Sequence, residues 1–260
     1  MLQVRIRDMQ RVWLIPFAIA FAWGQAFSPP RLASGHPDMQ GIWRAADISA
    51  AFDVQAHQAD DQIPAGPSMI IDPPDGKLPY LPEAAKKAKL NWDERDRDPV
   101  GYCHPHGVPR QLVPPFPLEI VQDGDYFAIL SETEHSVRAI SLDGRPHRKN
   151  YWAWMGDSRG RWEGDTLVVD VTGLNGKTWL DQAGNFVDEN EHVVERFRMA
   201  GPNTIVYEAT VTDPTVYLRP WTMRISLARQ AKGTELIEYD CVEGERDVVH
   251  HQNLQRQRAK

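Results

Sequence analysis

The sequence predicts a mainly β fold: an antiparallel up-and-down β-barrel of lipocalin-like type, wrapped by a Pro-rich, irregular N-terminal half. Three observations carry this expectation. From residue 117 onward, short apolar and β-branched runs recur between turn motifs at regular spacing. The chain holds 20 Pro and 18 Gly, a loop-rich proportion that suits β architecture better than a helical bundle. Strand and helix patterns do not alternate, which disfavours a doubly wound α/β sheet.

The elements follow in chain order. Arg5, Arg7 and Arg11 precede an apolar run from Val12 to Trp23, and Gly24-Gln25-Ala26 then supplies small residues. That is the layout of an export leader, so residues 1–26 read as a signal peptide and the mature chain as periplasmic or secreted. The run is too short for a comfortable membrane span, which needs ~20 apolar residues. Residues 27–115 form the wrapping segment, where closely spaced prolines such as Pro73-Pro74 and Pro114-Pro115 prevent long helices and central strands. Two exceptions stand out. Gly41–Arg44 reads as a first strand, and Glu83–Leu90 (EAAKKAKL) as a helix whose first turn accommodates Pro82.

The meander occupies residues 116–245, ahead of a polar tail over 246–260. Its expected strands are Leu118–Gln122, Tyr126–Ser131, His135–Leu142, Thr166–Val171, His192–Met199, Thr204–Thr212, Thr222–Arg229 and Glu235–Cys241. Asp123-Gly124, Asp143-Gly144, Gly201-Pro202-Asn203 and Lys232-Gly233 mark turns between them. Residues 27–260 are expected to form a single domain.

Composition excludes several function classes. The formal net charge is −7, from 29 Lys plus Arg against 36 Asp plus Glu, with no basic run to neutralise phosphates. Nucleic acid is therefore a poor partner, and stable membrane insertion is not expected. There is no GxGxxG, Walker-type loop or haem-attachment CxxCH, so the economical expectation is a protein without a cofactor. The two cysteines, Cys103 and Cys241, can pair in an oxidising compartment. Such a bridge closes a long loop, worth about 4–5 kcal/mol by chain entropy.

The main landmark is Trp154–Asp170, WMGDSRGRWEGDTLVVD. Asp157, Ser158, Arg159, Arg161 and Glu163 crowd beside Trp152, Trp154 and Trp162. Aromatic rings supply area and a few charges supply orientation, which is what a pocket for an aromatic, polar-headed ligand requires. The alternative is a tight β-turn whose geometry is set by Gly160 and Gly164. Ser158 lacks the GxSxG context of a nucleophile elbow.

This core, GDSRGRWEGDTLVVD (156–170), with PDMQGIWR (37–44), DPPDGKLPYLPEAAKK (72–87), HVVERF (192–197) and DPTVYLRPWT (213–222), resembles a family of exported bacterial proteins of unknown function. The resemblance spans nearly the whole mature chain. It implies one exported domain and, at greater remove, a kinship with lyases of lignin-derived aromatic dimers. This chain departs from the pattern at Cys103-His104-Pro105-His106-Gly107, where the family tends toward Cys-x-Pro-Pro-Gly.

His104 and His106 point the same way on an extended segment and form a possible metal pair if a third ligand such as His135 or His192 joins them. His250-His251 lies in the polar tail and reads as solvated surface. In Glu191–Phe197 (EHVVERF), His192, Val194 and Arg196 fall on one strand face, with Glu191, Val193, Glu195 and Phe197 on the other. Glu195 between apolar neighbours is a candidate general acid or base, and His192 with Arg196 a candidate base and anion clamp. Cross-strand ion pairing, with Arg138 or Arg224, is the structural alternative.

The resulting expectation is a cofactor-independent acid/base enzyme (a lyase, isomerase or dehydratase) acting on a small aromatic substrate. Asp157, Arg159, His192, Glu195 and Tyr207 are the catalytic candidates. Arg138, Trp152, Trp154, Trp162, His104 and His106 are the substrate-binding ones, with no metal assigned. The second expectation is a periplasmic carrier of a hydrophobic small molecule, and the third a metal-dependent hydrolase. A homo-oligomer is compatible with all three.

Overall fold

A computed structural model describes residues 27–59 and 64–239. The expected leader (1–26), Cys241 with its bridge to Cys103, and the polar tail lie outside the described residues. The fold is mainly β. Its strands are β1 (Gly41–Ala45), β2 (Ile70–Asp72), β3 (Leu118–Gln122), β4 (Tyr126–Ser131), β5 (Val137–Ser141), β6 (Asp157–Glu163), β7 (Thr166–Thr172), β8 (His192–Gly201), β9 (Thr204–Thr212) and β10 (Trp221–Arg229). Two α-helices, α1 (Ser49–Phe52) and α2 (Pro82–Asp93), accompany them among the described residues.

Nine strands close into a barrel in the order β1-β3-β4-β5-β6-β7-β8-β9-β10, and β1 returns to β10. Trp43 sits at the closure, opposite Leu118 on one side and Arg229 on the other. β2 adds to the same edge of β10 beyond the reach of β1. Neighbours are antiparallel except at one seam, where β5 and β6 run parallel and only Ser141 and Arg159 face each other. Parallel neighbours cannot be joined by a tight hairpin. The chain between them, residues 142–156, must therefore cross the barrel flank to begin β6 beside β5.

Two expectations about this sheet need correction. The charged landmark at Asp157–Glu163 is a full strand rather than a turn, and the turn is the Gly164-Asp165 pair joining Glu163 to Thr166. Its inward positions begin with Ser158 and Gly160, which carry no apolar bulk, and only the half-buried Trp162 at its end packs against the core, so the usual alternation is weak. Gly160 is needed for closeness: a Cβ there would lie 2.6 Å from Leu142 Cδ2 and 2.9 Å from Ile140 Cγ2. At the other end, Glu235–Tyr239 forms no strand. Both edges of β10 are already paired, so no ladder is open to it.

The barrel interior is filled by side chains. Phe127, Phe197 and Tyr207 form a ring chain with centroids 5.6 and 4.9 Å apart, and Trp43 and Trp221 are also fully buried. The outside carries charge. Val168 faces outward yet is fully buried, because its neighbours Arg161 and Arg196 lie over it and both pair with Glu163, at 2.6 and 2.9 Å. Among the described residues no helix is long and apolar enough to cross a membrane.

The N-terminal half does more than wrap. It supplies β1 and β2; part of the rest caps one barrel end by packing on the β7–β8 and β9–β10 connections, while Arg31 pairs with Asp165 in the β6–β7 turn at the other end, at 2.8 Å. Gln182 and Ala183 donate to the carbonyls of Ala51 and Phe52, at 3.0 and 2.8 Å, and Leu218 donates to that of Pro79 at 2.8 Å. Asn91 at the end of α2 donates to the Gly184 carbonyl at 2.9 Å. Asp181, fully buried, holds this cap: it accepts from Val54 N at 2.9 Å and from Asn185 Nδ2 at 2.6 Å. Burial, then the nearby Asp53 carboxylate, pushes its carboxyl up to about 8 despite these donors.

The proton is thus held more tightly in the fold than in the unfolded chain. The group's support for the fold is complete below about pH 4 and is withdrawn as the pH climbs through about 8, at up to roughly 1.4 kcal/mol per pH unit. Asp181→Asn is expected to flatten that slope in urea unfolding measured from pH 4 to 8.

Candidate functional site

The crossing segment 142–156 builds a cleft of about 400 Å³ on the barrel flank. Its floor is β5 and the start of β6, and its rim is residues of the crossing chain. Alternation on β4 and β5 sends Tyr126, Val137 and Ala139 outward into the cleft, and the crossing chain lays Arg145, Arg148, Tyr151 and Trp154 over them. Asp157 and Arg159 complete the wall from β6.

Besides Arg138, which is buried in the floor, three arginines therefore meet three aromatic rings, but they are not equally available. Arg159 spends its donors on Asp157 (2.9 Å) and on the carbonyls of Pro146 and Ser158, both at 3.2 Å. Arg145 is paired with Asp143, and its guanidinium holds that carboxyl well below the usual carboxylate range. Arg148 differs. Its Nε stands 3.9 Å from Asp157, its guanidinium lies 5.0 Å from the Tyr151 ring centroid, and its side chain is 60% exposed. Its backbone N–H donates to Asp157 Oδ2 at 2.9 Å, which fixes the base of the side chain. Arg148 is thus a braced cation with its fork open to the cleft.

Behind the cleft wall runs a row of alternating carboxylates and imidazoles. His147 Nδ1 lies 3.1 Å from Asp157 Oδ2, and its Nε2 lies 2.8 Å from Asp170 Oδ1. Asp170 Oδ2 lies 3.1 Å from His192 Nε2, whose side chain is 41% exposed. β6, β7 and β8 are adjacent and these residues all face outward, which is why the row forms.

The expected site residues come together only in part: Arg138, Trp154, Asp157 and Arg159 all line the flank cleft, while the catalytic candidates divide across the barrel wall. Asp157, Arg159 and His192 lie outside. Glu195 and Tyr207 lie inside, fully buried, with Arg138. Arg138 donates to both Glu195 oxygens, from Nη1 at 3.0 Å and from Nη2, and its Nε donates to Ser158 Oγ at 2.9 Å. Tyr207 donates to Glu195 Oε1 at 2.7 Å. Burial, and then Glu195, keep the Tyr207 hydroxyl well above its ordinary pKa, so it remains a donor. This closed set satisfies itself, as the ion-pair alternative anticipates. Glu191 is buried on the same side, and its Oε1 has no hydrogen-bond partner. Burial, then Asp213, raises its carboxyl well above the usual range.

Of the aromatic candidates, Trp154 lines the cleft, whereas Trp152 is 60% exposed outside it. Trp162 stacks on His36 at 4.7 Å, far along β6. His104 and His106 diverge. His104 stacks on Trp154 at 4.6 Å, while His106 is buried with its Nδ1 2.6 Å from Glu134 Oε2. The side chain of His135 lies outside the description. Among the described residues no cluster of three or more His, Cys, Asp or Glu is arranged to hold a metal ion.

Sequence reasoning missed Arg148, Tyr151 and His147. They lie in RPHRKNY, whose basic and aromatic mixture was the available clue, but a parallel crossover must be known before that segment can be placed on the flank. No family model matches this chain, and no curated protein matches it.

Proposed function

We propose that the protein binds a small aromatic anion in the flank cleft, with Arg148 as the anchor. The observation that carries this reading is the open, braced Arg148 fork among Tyr126, Tyr151 and Trp154, in a chain whose net charge is −7. The rings offer flat apolar area, and a carboxylate or phenolate fits the Arg148 guanidinium. A cavity near 400 Å³ suits a ligand of one ring and its substituents. The lipocalin-style alternative, a hydrophobic ligand inside the barrel, is disfavoured by the ring chain that fills the interior. The metal-dependent alternative is disfavoured because His104 and His106 point to different partners.

A second reading, cofactor-independent turnover of the same ligand by a lyase, isomerase or dehydratase step, is favoured by the Asp157–His147–Asp170–His192 row. The row joins the cleft wall to an exposed imidazole and is a path along which a proton can reach solvent. A thermal-shift comparison of 4-hydroxybenzoate, phenol and cyclohexanecarboxylate tests the first reading. 4-Hydroxybenzoate is expected to stabilise the protein most, because only it combines an aromatic ring with a carboxylate. Stabilisation by phenol alone would contradict an anion anchor. Mass spectrometry of recovered ligand then separates turnover from binding.

The proposal includes export, removal of residues 1–26 and a Cys103–Cys241 bridge. Alkylation of the denatured protein before and after reduction is expected to label both cysteines only after reduction.

A further inference from the structure

A second cleft, of about 410 Å³, lies across Trp154 from the first and is lined by Arg97, Pro99, Tyr102, His104, Trp154 and Lys177. Trp154 is the wall common to both. The His104 ring is stacked on it at 4.6 Å with a 12° interplanar angle, which orients the indole between the two clefts. The charges of the second cleft follow the same logic as the first. Arg97 is held by Glu94 at 2.8 Å. Lys177 is exposed and makes no ion pair among the described residues, while its backbone is pinned by an N–H bond to Asn175 Oδ1 at 3.1 Å. Each cleft thus presents one exposed cation beside aromatic surface, Arg148 in the first, held only by a 3.9 Å contact to Asp157, and Lys177 in the second.

Resting on the reading of the first cleft as an anion site, we propose that the ligand is a dianion. One negative group meets Arg148, the second meets Lys177, and the aromatic body between them lies along Trp154. A single aromatic acid satisfies one cleft and leaves Lys177 unanswered. Two anionic groups on one frame engage both, and the second contact is intramolecular and so gains affinity through effective concentration.

The test compares biphenyl-4,4′-dicarboxylate with biphenyl-4-carboxylate, matched in rings and differing in one charge, by calorimetric titration of the wild type and Lys177→Ala. In the wild type the dianion is expected to bind about tenfold or more tightly than the monoanion. In Lys177→Ala that advantage is expected to vanish, with monoanion affinity unchanged. Equal affinities in the wild type, or an advantage that survives Lys177→Ala, would overturn the dianion proposal while monoanion binding upheld the first cleft. If the monoanion fails to bind and the dianion binds with dependence on Lys177 alone, the first-cleft reading falls. Failure of both ligands overturns both.

Discussion

Glu195→Gln is expected to lower the unfolding free energy by about 3–5 kcal/mol, because it leaves Arg138 charged inside the barrel without its counter-charge. The exposures of Arg138 and Glu195 are 3% and 0%, so water cannot replace the lost partner. Ser158 and Tyr207 are neutral and cannot neutralise a guanidinium. Urea unfolding measures the loss. Replacing the whole set by apolar residues, as Arg138→Met with Glu195→Leu and Tyr207→Phe, is expected to recover most of it, since removing a buried pair together is far cheaper than removing half. If Glu195→Gln retained wild-type stability, the interior network would not have the structural role described. Its residues would again be candidates for chemistry.

Gly173→Ala is expected to cost about 2–4 kcal/mol, combining a strained left-handed backbone with a forced approach. Gly173 has φ +67, and a Cβ there would stand 2.5 Å from the Tyr151 carbonyl oxygen. That contact lies where the crossing chain is tied to the barrel, next to the bond from Ala153 N to the Gly173 carbonyl at 2.9 Å. The substitution therefore pushes Tyr151 away from Arg148 as well as straining β7's exit. Stability and 4-hydroxybenzoate affinity are expected to fall together. A loss of stability with unchanged affinity would show that the cleft does not depend on this tie.

The antiparallel strands were legible because their signs are local. Leu118–Gln122, Tyr126–Ser131 and Thr204–Thr212 are short apolar or β-branched runs bounded by turn motifs, and the structure places β3, β4 and β9 there. Helix α2 was legible from its alanines and lysines behind Pro82. β6 was not, because Trp162 is its one bulky inward residue, Ser158 and Gly160 hold the other inward positions and the outward ones are charged, a pattern a turn shares. The two strand faces around Glu195 were readable from the period of two, and so was their opposition. What the period cannot show is that the barrel wall lies between those faces, which separates Glu195 and Tyr207 from Asp157 and His192. The cleft itself comes from a parallel seam with a single facing pair, and no residue pattern announces that connection.

The most direct test of the account is calorimetric titration of 4-hydroxybenzoate into the wild type, Arg148→Ala and Arg148→Lys. A charged hydrogen bond is worth about 1.5–3 kcal/mol, so Arg148→Ala is expected to weaken binding by about tenfold to a hundredfold. Arg148→Lys, which keeps the charge but loses the planar fork over Tyr151, is expected to fall between them. Equal affinity in the wild type and Arg148→Ala would contradict the claim that the flank cleft is an anion site anchored by that arginine.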